Sequence, residues 1–206
     1  MLDASARKLI DPPLNWLGAR IAAKGISANQ VTLAGLVLGL AAAAFICLER
    51  FGIALIFLLA SRVADGLDGA VARATQKTDF GGFLDIAADF LFYGAVPLAF
   101  VLSDPAANGA AGAFLLTSFY FNGTTFLGYA VLAEKAKMQT HARGVKSLYF
   151  TGGLLEGTET IVFFVVLCLL PGWFSSLAWI FGTLCFVTAS ARILLARRVF
   201  PGVSQN

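Results

Sequence analysis

Six stretches of about twenty mostly apolar residues constrain what this chain can fold into more than any other feature, because that is the length a helix needs to cross a bilayer. They cover roughly 31–48, 51–72, 83–103, 110–133, 154–171 and 174–196. Turn or polar residues mark the joints: Glu49-Arg50, the 73–82 segment, Asp104-Pro105, the 134–147 segment and Pro171-Gly172. With 58% hydrophobic and 13% charged residues in a chain of 206, one water-soluble core could not hide the apolar surface. The expectation is an all-α integral membrane protein with six transmembrane helices.

An even number of spans leaves both termini on one side. That side collects Arg7, Lys8, Arg20, Lys24, Arg73, Lys77, Lys135, Lys137, Arg143, Lys146, Arg197 and Arg198, while the opposite loops hold only Arg50. By the positive-inside bias the termini and the 73–82 and 134–147 loops are cytoplasmic. Trp16, Trp173 and Trp179 fall near the expected interfaces as belt anchors. The first residues show no cleavable leader. Instead Leu9, Ile10, Leu14, Leu17 and Ile21 recur at helical spacing among Arg7, Lys8, Asn15 and Arg20, the pattern of an amphipathic helix on the membrane surface. Pro12-Pro13 should end or kink its first part. Gly25 breaks the chain, and Ser27 or Asn29 suits the cap of the next helix. The domain plan is therefore 1–25 as an interfacial helix, 26–199 as the six-helix transmembrane unit and 200–206 as a cytoplasmic tail. Gly35 and Gly39 form a GxxxG pair that permits close helix approach, and Pro97 is expected to kink its span. Cys47, Cys168 and Cys185 lie in apolar runs without metal-ligand spacing and read as small hydrophobes. His141 reads as a solvated loop residue.

Chemistry concentrates in residues 62–89. Asp65 and Asp68 are spaced i, i+3 near the end of the second span, and Asp85 and Asp89 i, i+4 near the start of the third. Each pair shares one helix face, and the short connection returns the helices antiparallel, so the pairs can meet. Four like charges at a membrane edge repel one another, and each is costly there. A cation must offset them. Oxygen donors without His or Cys point to Mg²⁺, Mn²⁺ or Ca²⁺, and two ions bridged by shared carboxylates suit phosphoryl transfer. Gly66, Gly69, Gly81 and Gly82 leave room for a phosphate or nucleotide, and Arg73 can grip phosphate oxygens. The rival readings are proton or ion conduction, or pairing of the acids with Arg62.

The run Asp65-x2-Asp68-Gly69-x2-Ala72-Arg73-x7-Gly81-x3-Asp85-x3-Asp89 resembles the CDP-alcohol phosphotransferase (CDP-alcohol phosphatidyltransferase) family at every fixed position of its motif. The six spans, surface helix and cytoplasmic site extend the likeness over the whole chain, nearest to a bacterial inner-membrane branch with the Glu-Gly-Thr-Glu-Thr run found here at 156–160. The resemblance implies transfer of a phosphatidyl group from CDP-diacylglycerol to an alcohol acceptor with release of CMP, using two divalent ions, Mg²⁺ or Mn²⁺. It implies metal ligation by Asp65, Asp68, Asp85 and Asp89, with Asp89 also the general base. Asp68, Gly69, Ala72, Arg73, Gly81, Asn29 and Thr32 would line the nucleotide site. It further implies a homodimer in the bacterial inner membrane. No feature points to nucleic acid.

The acceptor is not selected by this motif. Arg143 and Lys146 could bind an acceptor phosphate or be ordinary positive-inside residues. Glu156 and Glu159 could line an acceptor pocket, or pair with Arg62 or Arg192. Two other functions stand beside the main one: transfer from a soluble CDP-alcohol to diacylglycerol, and divalent-cation transport. A transporter needs polar residues along a whole path, whereas these acids cluster at one end.

Overall fold

The computed structural model of the chain describes residues 3–136 and 157–200, and these are helical almost throughout, with no strand among them. In order come α1 (Asp3–Ala23), α2 (Ala28–Cys47), α3 (Phe51–Ala74), α4 (Asp79–Ser103), α5 (Pro105–Lys135), α6 (Gly157–Leu169), a 3-10 turn at Pro171–Trp173 and α7 (Phe174–Val199). Arg143, Lys146, Glu156 and His141 lie outside the described residues.

Local chemistry sets the helix ends. Gly25 takes φ +79°, a left-handed conformation that a side chain would resist. Ser27 then caps α2 reciprocally: its hydroxyl accepts from the Gln30 N–H, and the Gln30 side chain accepts from the Ser27 N–H at 2.9 Å. Thr78 caps α4 by accepting from the Gly81 N–H at 3.0 Å, so that helix starts at Asp79, four residues before its apolar run. Asp104 caps α5 in the same way, with Pro105 in the first turn.

Three helical segments are long and apolar enough to cross a membrane: Ala28–Cys47, Asp79–Ser103 and Pro171–Val199. Gly157–Leu169 is apolar but shorter. The segments α3 and α5 have the length but carry more polar residues, among them Arg62, Asp65, Asp68 and Arg73 in α3. Helix α1 runs through Pro12 and Pro13 instead of ending there. Proline inside a helix costs about 3 kcal/mol, and packing on α3 offsets it. Gly18 sits so close that a Cβ would lie 2.6 Å from Ala70 Cβ, and Leu14 and Ile21 pack with Val31, Leu67 and Val71. Pro97 likewise lies inside α4 without ending it.

α2 packs against α3 and α4, α5 against α4 and α7, and α3 also touches α6. Most of the buried apolar residues form one cluster that includes Phe92, Phe100, Phe164 and Phe174, each 1% exposed or less. The Gly35/Gly39 pair serves the α2–α3–α4 contact. A Cβ on Gly39 would lie 2.6 Å from the Phe92 ring, and the Ser61 hydroxyl donates to the Gly35 carbonyl at 2.7 Å. The three cysteines are free, Cys168 and Cys185 buried and Cys47 partly so.

Candidate active site

The end of α3 and the start of α4 bring the four aspartates together, as their i, i+3 and i, i+4 spacing and the short 75–78 connection require. One carboxylate oxygen each from Asp65, Asp68 and Asp85 lies within 4.8 Å of the other two. Asp68 is buried, 6% exposed, and accepts from the Thr32 hydroxyl at 2.6 Å. Asp65 and Asp85 are half-buried. Asp89 is turned to a different partner: its Oδ1 accepts from Nη1 of Arg62 at 2.8 Å, and the same nitrogen lies 3.5 Å from Asp65 Oδ1.

The donor set fits a divalent ion. Three carboxylate oxygens converge with no nitrogen or sulfur ligand beside them among the described residues, which suits a hard cation. Hydrogen bonding to Thr32 orients one oxygen of Asp68. Asp65, Asp68 and Asp85 could hold one ion between them. Asp89 stands beside this group, on Arg62.

The expected nucleotide residues divide between two places. Asn29, at the start of α2, lies against Gly81 at the start of α4, where a Cβ would come within 3.1 Å of its Oδ1. Thr32 stands one turn along on Asp68. Gly69 adjoins Arg73, whose Nη1 would lie 3.3 Å from a Cβ there, and Ala72 is half-buried on the same helix. The space at Gly82 is open, but that at Gly66 is filled by Leu14 of α1, 2.9 Å from where a Cβ would be. Gly66 therefore admits a helix, not a phosphate. Arg73 is exposed and oriented by Asn15 of α1, whose Oδ1 accepts from Nε at 3.1 Å and Nη2 at 2.8 Å. Glu159 is half-buried in the first turn of α6. That helix begins beside Tyr93, one turn beyond Asp89: a Cβ on Gly157 would be 3.5 Å from the Tyr93 hydroxyl. Arg192 donates to Asn122 and Thr125.

Sequence reasoning left two residues out of the site. Arg62 entered only as a rival partner for the acids, although its i, i+3 spacing to Asp65 was visible. Asn15 gave no signal, because its contact joins residues 58 positions apart.

Comparison with known proteins fits this geometry. The family model for CDP-alcohol phosphatidyltransferase matches residues 26–189, and the chain belongs to that family of transferases. The inner membrane protein YnjF of Escherichia coli (strain K12) is 45% identical over 193 residues, covering 94% of each chain. The archaetidylinositol phosphate synthase of Pyrococcus horikoshii is 41% identical over 86 residues, 41% of this chain and 46% of that one. Among solved structures, the phosphatidylinositol phosphate synthase PgsA1 of Mycobacterium tuberculosis with CDP-DAG bound superposes with a TM-score of 0.65. It is 18% identical, covering 89% of this chain and 93% of that chain. The same protein in complex with manganese and citrate gives a TM-score of 0.64. Membership of that family makes the chain an enzyme.

Proposed function

We propose that this chain transfers a phosphatidyl group from CDP-diacylglycerol to an alcohol acceptor, releasing CMP, as a six-span enzyme of the bacterial inner membrane. The observation that carries the reading is the convergence of Asp65, Asp68 and Asp85 within 4.8 Å, with Asp89 alongside. The relatives support it: one solved neighbour carries CDP-DAG and, in a second structure, manganese, and a sequence relative is a synthase of a phosphorylated inositol lipid. The inner-membrane location of YnjF supports the compartment. The positive-inside bias supports cytoplasmic termini and a cytoplasmic site, with α1 along the surface. A homodimer is expected from the family.

Asp65, Asp68 and Asp85 would hold a divalent ion, Mg²⁺ or Mn²⁺, with Asp89 beside a second. When bound, the ions supply positive charge against the pyrophosphate and the departing CMP. The chain's own residues do the rest. Asn29, Thr32, Gly69, Ala72, Gly81 and Arg73 surround the nucleotide, with Arg73 held in place by Asn15. The acceptor oxygen attacks the phosphorus that carries the lipid, the bond from that phosphorus to CMP breaks, and Asp89 takes the hydroxyl proton. Glu159 at the start of α6, together with Glu156, Arg143 and Lys146, is the proposed acceptor side.

Purified protein with Mg²⁺ or Mn²⁺, CDP-diacylglycerol and a panel of acceptors (glycerol phosphate, inositol phosphate, serine) tests this. CMP should appear with one or a few of them. No CMP with any, where a related enzyme works, removes the reading. CMP formed only when a soluble CDP-alcohol is mixed with diacylglycerol would reverse the lipid roles.

A further inference from the structure

Arg62 lies outside the motif of fixed residues, yet among the described residues it is a cation that touches the carboxylates from within the protein. Its side chain is 11% exposed, at the middle of α3, where the apolar first half of the helix gives way to Asp65 and Asp68. Burying an arginine is costly unless its charge is paired, and the surroundings are built for it. Nη1 donates to Asp89 Oδ1 at 2.8 Å and lies 3.5 Å from Asp65 Oδ1. Nη2 donates to the Ser61 hydroxyl at 3.1 Å, and Ser61 is itself anchored on the Gly35 carbonyl of α2. The guanidinium carbon stands 4.0 Å over the centre of the Phe92 ring, a cation–π seat. Nε is buried with no hydrogen-bond partner among the described residues. The group is thus held by its Nη ends and its face, and those ends point at Asp89 and Ser61.

We propose that Arg62 is a positioning residue that reserves Asp89 for proton transfer. It pins Oδ1 and leaves Oδ2 to accept from the acceptor hydroxyl. The proposal rests on the reading of Asp89 as the base. A fixed base orientation matters because a proton acceptor must lie within hydrogen-bond reach of the group it serves, and small misplacements of reacting groups are costly in rate.

The test uses the detergent-purified full chain and two readouts. In steady-state CMP release, Arg62→Gln should lower kcat about 100-fold while the KM for CDP-diacylglycerol stays within about threefold. Arg62→Lys, whose ammonium can still reach one carboxylate oxygen, should recover about a tenfold part of that loss. In Mn²⁺ titration followed by electron paramagnetic resonance, without substrate, Arg62→Gln should bind Mn²⁺ as tightly as the parent or more tightly, because Arg62 is no part of the metal set. Unchanged kcat in Arg62→Gln overturns the proposal. So does a tenfold weaker Mn²⁺ affinity, or a Lys variant no better than Gln. If Arg62→Gln does not fold, Phe92→Leu replaces it: loosening the seat should lower kcat several-fold with Mn²⁺ affinity kept, and an unchanged kcat there overturns the proposal equally. If the parent releases no CMP with any acceptor, the assigned reaction falls. The Arg62 proposal falls with it, and Mn²⁺ binding then shows whether the three-carboxylate set survives by itself.

Discussion

The two ends of the helix bundle are held together by different means. At one end, Phe100 stacks on Phe51 and Phe174, and Phe163 on Phe181 with ring centroids 4.0 Å apart, within a large cluster of buried apolar residues. At the other end the buried apolar cluster shrinks to Val31, Leu67 and Val71. Polar contacts carry that end: Thr32 on Asp68, Arg62 on Asp89, Ser61 on the Gly35 carbonyl, Asn15 on Arg73. Packing tolerates approximate complementarity and is non-directional. Hydrogen bonds and ion pairs set direction as well as distance, and directed groups are what a reaction needs. One end of the molecule is thus organised for stability and the other for chemistry.

Substitutions should separate these ends. The largest effect belongs to the carboxylates. Asp89→Asn should lower CMP release by roughly two to four orders of magnitude, the usual contribution of a general base, while nucleotide binding persists. Full turnover in that variant would remove Asp89 as the base. Chelating the divalent ion should abolish turnover, and Asp85→Asn should weaken Mn²⁺ binding measured directly; retained Mn²⁺ affinity would take Asp85 out of the metal set. At the aromatic end, Phe174→Ala removes a side chain with no exposed surface and should cost about 3–5 kcal/mol of stability. Its turnover per folded molecule should hold, which a thermal melt in detergent beside CMP release would check. If turnover falls as far as stability, the division between the ends is wrong.

Smaller effects test the seam where α1 meets the site. Asn15→Ala should raise the KM for the CDP-lipid about threefold by freeing Arg73, since an exposed hydrogen bond to a charge contributes modestly. An unchanged KM would make the Asn15 contact incidental. Ser27→Ala removes the N-cap of α2 and should cost about 1 kcal/mol in the melt. A drop in turnover without that loss would mean Ser27 does more than cap.

How much was legible in advance depended on the range of the interaction. The cap at Ser27 and the joint at Asp104 follow from short-range chemistry, while the Thr78 cap starts α4 four residues ahead of the apolar run that marks it; the motif aspartates converge because i, i+3 and i, i+4 neighbours share a face. Arg62 could be seen as i, i+3 to Asp65. Its hydrogen bond to Asp89, 27 residues away, needed the angle at which α3 meets α4. Gly66 was read as space for a phosphate because Leu14 lies far from it in sequence. Pro12-Pro13 were expected to interrupt α1 because the packing that holds it on α3 is equally remote.

By itself, then, the sequence determined the helical class, the cap of α2 at Ser27, the family motif and the cluster of acids. Those depend on periodicity and on neighbours within a turn or two. Only the tertiary structure decided that three carboxylates face one another while the fourth faces Arg62, and that α1 closes over Gly66 and holds Arg73. Those choices depend on how whole helices rotate and cross, which close packing at Gly18, Gly35 and Gly39 settles.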